Sequence, residues 1–182
     1  EPLLKERGYK LKIQVIDDYS RGNPEVEKGK ADANFFQHVP YFNSKNTNDL
    51  LVNLGGIHLE PIGLYGGTIN SIDDLKDGDK IVISDNQPDY GRIVLFLSNL
   101  GLVEVVNDFD SLNNYSNPEL AIKSKVKDFR FEIIDANLLV TAKKNKQGAL
   151  FFINGNYAIT GNLSLNEAIE KESTNNNPYV NI

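Results

Sequence analysis

The chain has 182 residues, enough for one large domain or two small lobes. Lys and Arg total 19 against 25 Asp and Glu, giving a net charge of −6 and a pI near 5.0, the opposite of the balance that grips nucleic acid phosphates. No Cys is present and the only imidazoles are His38 and His58, which excludes a disulfide framework, a thiol nucleophile, a Cys-based metal site and a multi-histidine metal centre. No stretch approaches roughly 18 consecutive apolar residues, so no membrane-spanning helix is encoded.

Glu1 to Gly8 reads as the last turns of a helix stopped by a glycine, and the chain reads as truncated at both ends. Tyr9 to Ile16 alternates apolar and polar residues (Leu11, Ile13, Val15), the period of a strand. Asn23-Pro24 predicts a helix start with Pro at its first position, ending at Gly29. Ala31 to Phe36 reads as a short strand, and Pro40-Tyr41-Phe42 opens a further helix. Ser71 followed by Asp73 and Asp74 is an N-cap with an acidic first turn, stopped at Gly78. Lys80 to Ser84 is a buried strand by its unbroken apolar run, and Tyr90 to Leu100 a helix ended by Gly101. Pro118 to Val126 reads as a helix, with Phe129–Ile134 and Ala149–Ile153 as strands. Strands separated by helical stretches of this length indicate an α/β class.

Four stretches could carry chemistry. Between the strand ending at Ser84 and the helix starting near Tyr90 lies a polar loop, Asp85 to Asp89, with Arg92 in the first helical turn. Loops at the C-terminal edge of an open α/β sheet hold ligands, and a guanidinium there matches a carboxylate. The same Arg also fits an ordinary surface helix, the commoner situation for that residue type. Phe35-Phe36-Gln37-His38 places aromatics and an imidazole just past a strand, as a small-molecule pocket would, and equally as core-facing aromatics would. Asn154-Gly155-Asn156 and Asn177-Pro178-Tyr179-Val180-Asn181 read as turns first and polar contacts second. Asp17-Asp18 cannot both enter one site if a strand runs through them. No nucleophile elbow, phosphate loop or dinucleotide fingerprint is present, so no catalytic residue is assigned and no enzyme is predicted.

In order, these stretches resemble the methionine-binding lipoproteins, the NlpA type of substrate-binding proteins for ABC importers. The resemblance runs from Gly8 to Ile182. It rests on Asp17-Asp18-Tyr19, on Asp32-Ala33-Asn34-Phe35-Phe36-Gln37-His38-Val39-Pro40-Tyr41, and on Glu60-Pro61-Ile62-Gly63-Leu64-Tyr65. It continues through Ser71-Ile72-Asp73-Asp74-Leu75, Gly91-Arg92, Ile153-Asn154-Gly155-Asn156-Tyr157 and Asn177-Pro178-Tyr179-Val180-Asn181. It implies a two-lobed, type II-like periplasmic-binding-protein fold lacking the family's first strand and its last strand and helices. Residues 1–62 and 177–182 would belong to lobe one and residues 63–176 to lobe two, with crossings around Pro61–Gly66 and Asn175–Asn181.

The resemblance also implies the ligand set. Arg92 would pair with an amino acid's carboxylate, Asn154 and Asn181 would fix its polar end, and Tyr19, Phe36, His38 and Tyr41 would line the side-chain pocket. Where the family commonly carries Asn-Asp-Pro-x-Asn, this chain has Asp85-Asn86-Gln87-Pro88-Asp89. Asp89 thus stands where a neutral amide is usual, which favours an ammonium nearby. The expected partners are L-methionine or an analogue and an ABC importer permease, with no cofactor, no metal and no nucleic acid. The expected location is extracytoplasmic, through a lipid anchor on a Cys upstream of these residues. A methionine-containing dipeptide or D-methionine is the alternative ligand, and a surface adhesin the alternative from another class.

Overall fold

A computed structural model describes residues 2–16, 18–175 and 177–182; Asp17 of the acidic pair therefore lies outside the described residues. Helix α1 (Pro2–Glu6) ends before Gly8, whose φ of +82° only glycine adopts without strain. Residues 9–16 enter no ladder among the described residues, and Ile13 and Val15 are 76% and 83% exposed. The alternation is that of a strand, yet a strand exists only where a neighbour takes its hydrogen bonds. Helix α2 (Tyr19–Glu27) begins five residues earlier than its proline suggests, because the Asp18 side chain caps it by accepting from the Ser20 N–H at 2.8 Å; Pro24 sits inside it. Residues 31–37 form no strand, and α3 (Val39–Lys45) follows.

The centre is a five-stranded mixed sheet. Its order is β6 (Arg130–Ile134), β3 (Lys80–Ser84), β7 (Leu150–Asn154), β2 (Ile62–Gly66) and β8 (Glu170–Lys171). Strand β3 runs parallel to β6 and β7, while β2 is antiparallel to β7 and β8. Both faces are covered, which explains the unbroken apolar run of β3. Leu64, Ile81, Ile83, Leu150 and Phe152 pack against α4 (Tyr90–Asn99) through Ile93, Val94 and Leu97. Tyr65, Val82, Phe151 and Ile153 face α5 (Leu139–Lys144) and α6 (Gly155–Thr160). Each such fully buried side chain contributes about 1.5–3 kcal/mol relative to exposure.

Two small ladders flank this sheet. Strand β1 (His58–Leu59) pairs antiparallel with β9 (Val180–Asn181), and His38 bridges to Asn181. The stretch expected as a helix over 118–126 is instead a 3-10 turn, Pro118–Ala121, followed by β5 (Ile122–Lys125), which pairs with β4 (Val103–Val105). The pairing partner, some twenty residues upstream, overrides the local helical reading. Residues Ser71 to Leu75 likewise make one 3-10 turn, not a longer helix.

Candidate functional site

The C-terminal ends of β3 and β7 and the start of antiparallel β2 meet at one edge of the sheet, and the segments leaving them frame a cavity. Ile62 is paired with Asn154, so Glu60, two residues before Ile62, comes alongside the Asn154–Asn156 turn. Opposite stand α2, the 34–38 segment and α3. The open space between these walls, mouth included, is about 350 Å³.

One wall is aromatic. The rings of Tyr19, Phe36 and Tyr41 form a triangle with centroid separations of 5.9, 6.1 and 5.8 Å. Tyr157 closes on Tyr19 at 5.2 Å, and the Tyr19 hydroxyl donates to Asn156 Oδ1 at 2.7 Å. Burial drives the Tyr19 phenol well above its ordinary value, and also raises Tyr157 to about 12, so both stay protonated donors. Behind the wall, Asn23, Asn34 and Gln37 form a mutually bonded amide cluster that ties the 34–38 segment to α2. Gly22 permits the contact, since a Cβ there would lie 2.4 Å from the Phe36 ring. Gly22→Ala is therefore expected to cost about 1–3 kcal/mol of stability by overpacking; unchanged denaturation of the purified variant would show that the ring moves freely.

The other wall is polar and organised by Asp89, which is fully buried. Oδ1 accepts from His38 Nε2 at 3.0 Å, and Oδ2 accepts from the amides of Asn86 at 2.6 Å and Asn154 at 3.0 Å. His38 Nδ1 accepts the Tyr41 backbone N–H at 3.1 Å, which fixes the proton on Nε2 and makes His38 a neutral donor to Asp89. Burial alone raises the Asp89 carboxyl, but the His38 hydrogen bond, the Arg92 guanidinium and the Asn86 amide outweigh it and hold it well below the aspartate value.

Arg92 is 3% exposed and lies over the Tyr179 ring, 4.7 Å from its centroid. Nε donates to Glu172 Oε1 at 2.7 Å, while Nη2 donates to Glu172 Oε2 and to the Glu60 carbonyl. Desolvation works against its charge, but the Glu172 hydrogen bonds and the charges of Asp89 and Glu172 raise its pKa further. Nη1 is 3.5 Å from Asp89 Oδ1 and makes no hydrogen bond among the described residues, so this is the edge left for the cavity.

Of the residues singled out in the sequence, Tyr19, Phe36, His38, Tyr41, Arg92, Asn154 and Asn181 all line this cavity. Asp89 is not among the lining residues; its oxygens accept from protein donors, and it orders the wall from behind. The cavity also gathers Gln37, Glu60, Asn86 and Asn156, which the sequence reading did not assign, although each lies in a stretch it quoted. Glu172 had no local signal, being 80 residues from the Arg it pairs with. A second, more polar hollow of about 780 Å³ with its mouth adjoins the first, lined by Asp18, Lys45, Asp85 and Asp135.

Residues 1–182, the whole chain, match the NlpA lipoprotein family. The chain belongs to that family. Among curated relatives of this NlpA lipoprotein chain is a methionine-binding lipoprotein of Bacillus subtilis, 41% identical over the full chain and 67% of the relative. A D-methionine-binding lipoprotein of Salmonella typhi is 30% identical, again over the full chain and 67% of the relative. The chain thus spans about two thirds of their length. Among solved structures, a lipoprotein of B. subtilis superposes on the NlpA chain with TM-score 0.92 at 40% identity, covering 100% of this chain and 74% of that one. A Burkholderia cenocepacia nutrient-binding protein bound to methionine gives 0.86 at 28% identity, covering 98% and 74%. A periplasmic substrate-binding protein of an ABC transporter from Coxiella burnetii gives 0.85 at 29%, with the same coverages. The NlpA chain therefore has the α/β fold of periplasmic substrate-binding proteins, a family of binders and not an enzyme class.

Proposed function

We propose that this chain forms the ligand-binding part of an extracytoplasmic lipoprotein that captures methionine and delivers it to an ABC importer. The observation that carries the reading is one cavity lined both by an aromatic triangle and by a buried arginine. A thioether is soft and polarisable and gains about 0.3–1.5 kcal/mol from an aromatic contact. Burying the methionine side chain adds roughly 1.5–3 kcal/mol. The carboxylate would meet Arg92 Nη1 with the amides of Asn154 and Asn181 beside it. The relatives named for methionine and the neighbour holding it support this ligand. In this reading the intact protein is held at the membrane by a lipid on an upstream Cys, as the lipoprotein names of the relatives suggest.

We further propose that residues up to 62 and from 177 onward make one lobe and residues 63–176 the other, with the ligand between them. On that division the hydrogen bonds of Tyr19 to Asn156 and of His38 to Asp89 join the lobes and draw the cleft shut as water leaves. A drier cleft strengthens the arginine–carboxylate attraction.

Calorimetric titration of the intact protein with L-methionine, D-methionine, Gly-Met and glutamine tests this. The expected result is binding of methionine and none of glutamine. Glutamine binding as tightly as methionine would overturn the reading. D-methionine is included because relatives at 30% identity carry that ligand in their names.

A further inference from the structure

The hydrogen-bond accounting of the cavity leaves one acidic group unspent. Arg92 has a committed counter-charge in Glu172, which is itself fixed: its Oε2 accepts the Ile62 N–H at 3.1 Å, and its own N–H donates to the Ile62 carbonyl at 3.0 Å. Asp89 is saturated by His38, Asn86 and Asn154. His38 donates to Asp89, and no lysine among the described residues lines the cavity. Glu60 remains. It lines the cavity, and the hydrogen bond its carboxylate accepts among the described residues is a long one, from Asn181 Nδ2 to Oε2 at 3.4 Å. Oε1 accepts nothing there and lies against Gly155, where a Cβ would be 3.0 Å away. Among the described residues the cavity lining thus carries one guanidinium already paired with Glu172 and one carboxylate, that of Glu60, without a cationic partner, which a ligand ammonium would supply.

Resting on the amino-acid reading above, we infer that Glu60 accepts the α-ammonium of the ligand, so that the site takes a free α-amino acid and rejects a molecule whose nitrogen in that place is neutral. The sequence pointed to Asp89 for this part, and its saturated oxygens remove it. Pro61 follows Glu60 directly, and the Glu60 carbonyl accepts from Arg92, so the backbone that presents the carboxylate is tied to the residue facing the ligand's other end. The spacing between ammonium and carboxylate is then read by two residues held through one another. A dipeptide with methionine at its C-terminus would offer Glu60 an uncharged amide nitrogen, so this geometry favours methionine over Gly-Met.

The test compares L-methionine with 4-(methylthio)butanoate, which keeps the thioether and carboxylate and lacks the amine, on wild type and on Glu60→Gln by calorimetry. The expected wild-type preference for methionine is roughly 30-fold or more, the scale of removing one partner of a buried charged pair. In Glu60→Gln that preference collapses to about threefold or less, because methionine weakens while the desamino analogue is unchanged. A variant that weakens both ligands alike would overturn the inference, leaving Glu60 a structural support for Asn181. Equal binding of the two ligands by wild type would also overturn it, without need of any variant. If wild type binds neither, the amino-acid reading itself fails, and this inference with it.

Discussion

Arg92→Ala is expected to abolish measurable methionine binding and also to destabilise the empty protein. The sequence places this residue in the first turn of a helix, where an exposed surface arginine is the commoner case, and the structure buries it instead. Arg92 is 3% exposed, and its partner Glu172 is 10% exposed, so removing the guanidinium leaves a carboxylate in the interior with only the Ile62 N–H. Breaking such a pair costs about 3–5 kcal/mol. The binding loss, from the missing Nη1 edge, is on the order of 2–5 kcal/mol, roughly 30- to several-thousand-fold. Arg92→Lys should recover part of the stability and little of the affinity, since one ammonium cannot serve Glu172 and the cavity on opposite edges. Adding Glu172→Gln to Arg92→Ala should restore melting temperature while binding stays lost, which separates the two roles. Wild-type affinity in Arg92→Ala would place the carboxylate elsewhere.

Asp89→Ala is expected to be nearly as damaging, by a different route. It strips the shared acceptor from His38, Asn86 and Asn154 and leaves the Arg92 Nη1 edge without its nearby carboxylate. Buried donors without acceptors cost about 1–3 kcal/mol each, and the losses in one network are not additive. Asp89→Asn keeps the shape but turns one acceptor into a donor facing donors, so it should fold and be less stable. Because the carboxyl sits well below the ordinary 3.8, its ionised form stabilises the fold at every pH above that value, and this is lost as pH falls below it towards the folded value. The difference in melting temperature between wild type and Asp89→Asn should therefore be flat from about pH 5 to pH 8 and narrow below about pH 4. A gap that widens in acid would mean that Asp89 is protonated in the native protein.

How far the chain could be read depended on whether its signals were local. Lys80 to Ser84 and Tyr90 to Asn99 declare themselves, since an apolar run bounded by turns and a helix ended by glycine are written within a few residues. The Pro118–Val126 stretch misleads because β5 is decided by β4, across a loop. Residues 9–16 carry strand alternation, but no partner among the described residues turns it into a ladder. The same division holds for the site. Arg92, His38 and the aromatics were identifiable by type and by resemblance to a family. Which oxygen each nitrogen meets was not, because Glu172 and Asp89 act across 80 and 51 residues of sequence. The charge of Asp89 is visible in the sequence; that its oxygens accept from His38, Asn86 and Asn154 is not.

If the aromatic triangle of Tyr19, Phe36 and Tyr41 holds a methionine side chain, the composition of the chain offers a direct measurement. None of its 182 residues is methionine, so after growth in sulfur medium and soaking with L-selenomethionine, selenium found in this region of a crystal comes from the ligand. The anomalous difference map is expected to show one selenium peak inside the triangle, with the ligand's carboxylate toward Arg92 Nη1. A peak in the neighbouring hollow lined by Asp18, Asp85 and Asp135, or an empty triangle at saturating ligand, would contradict the account.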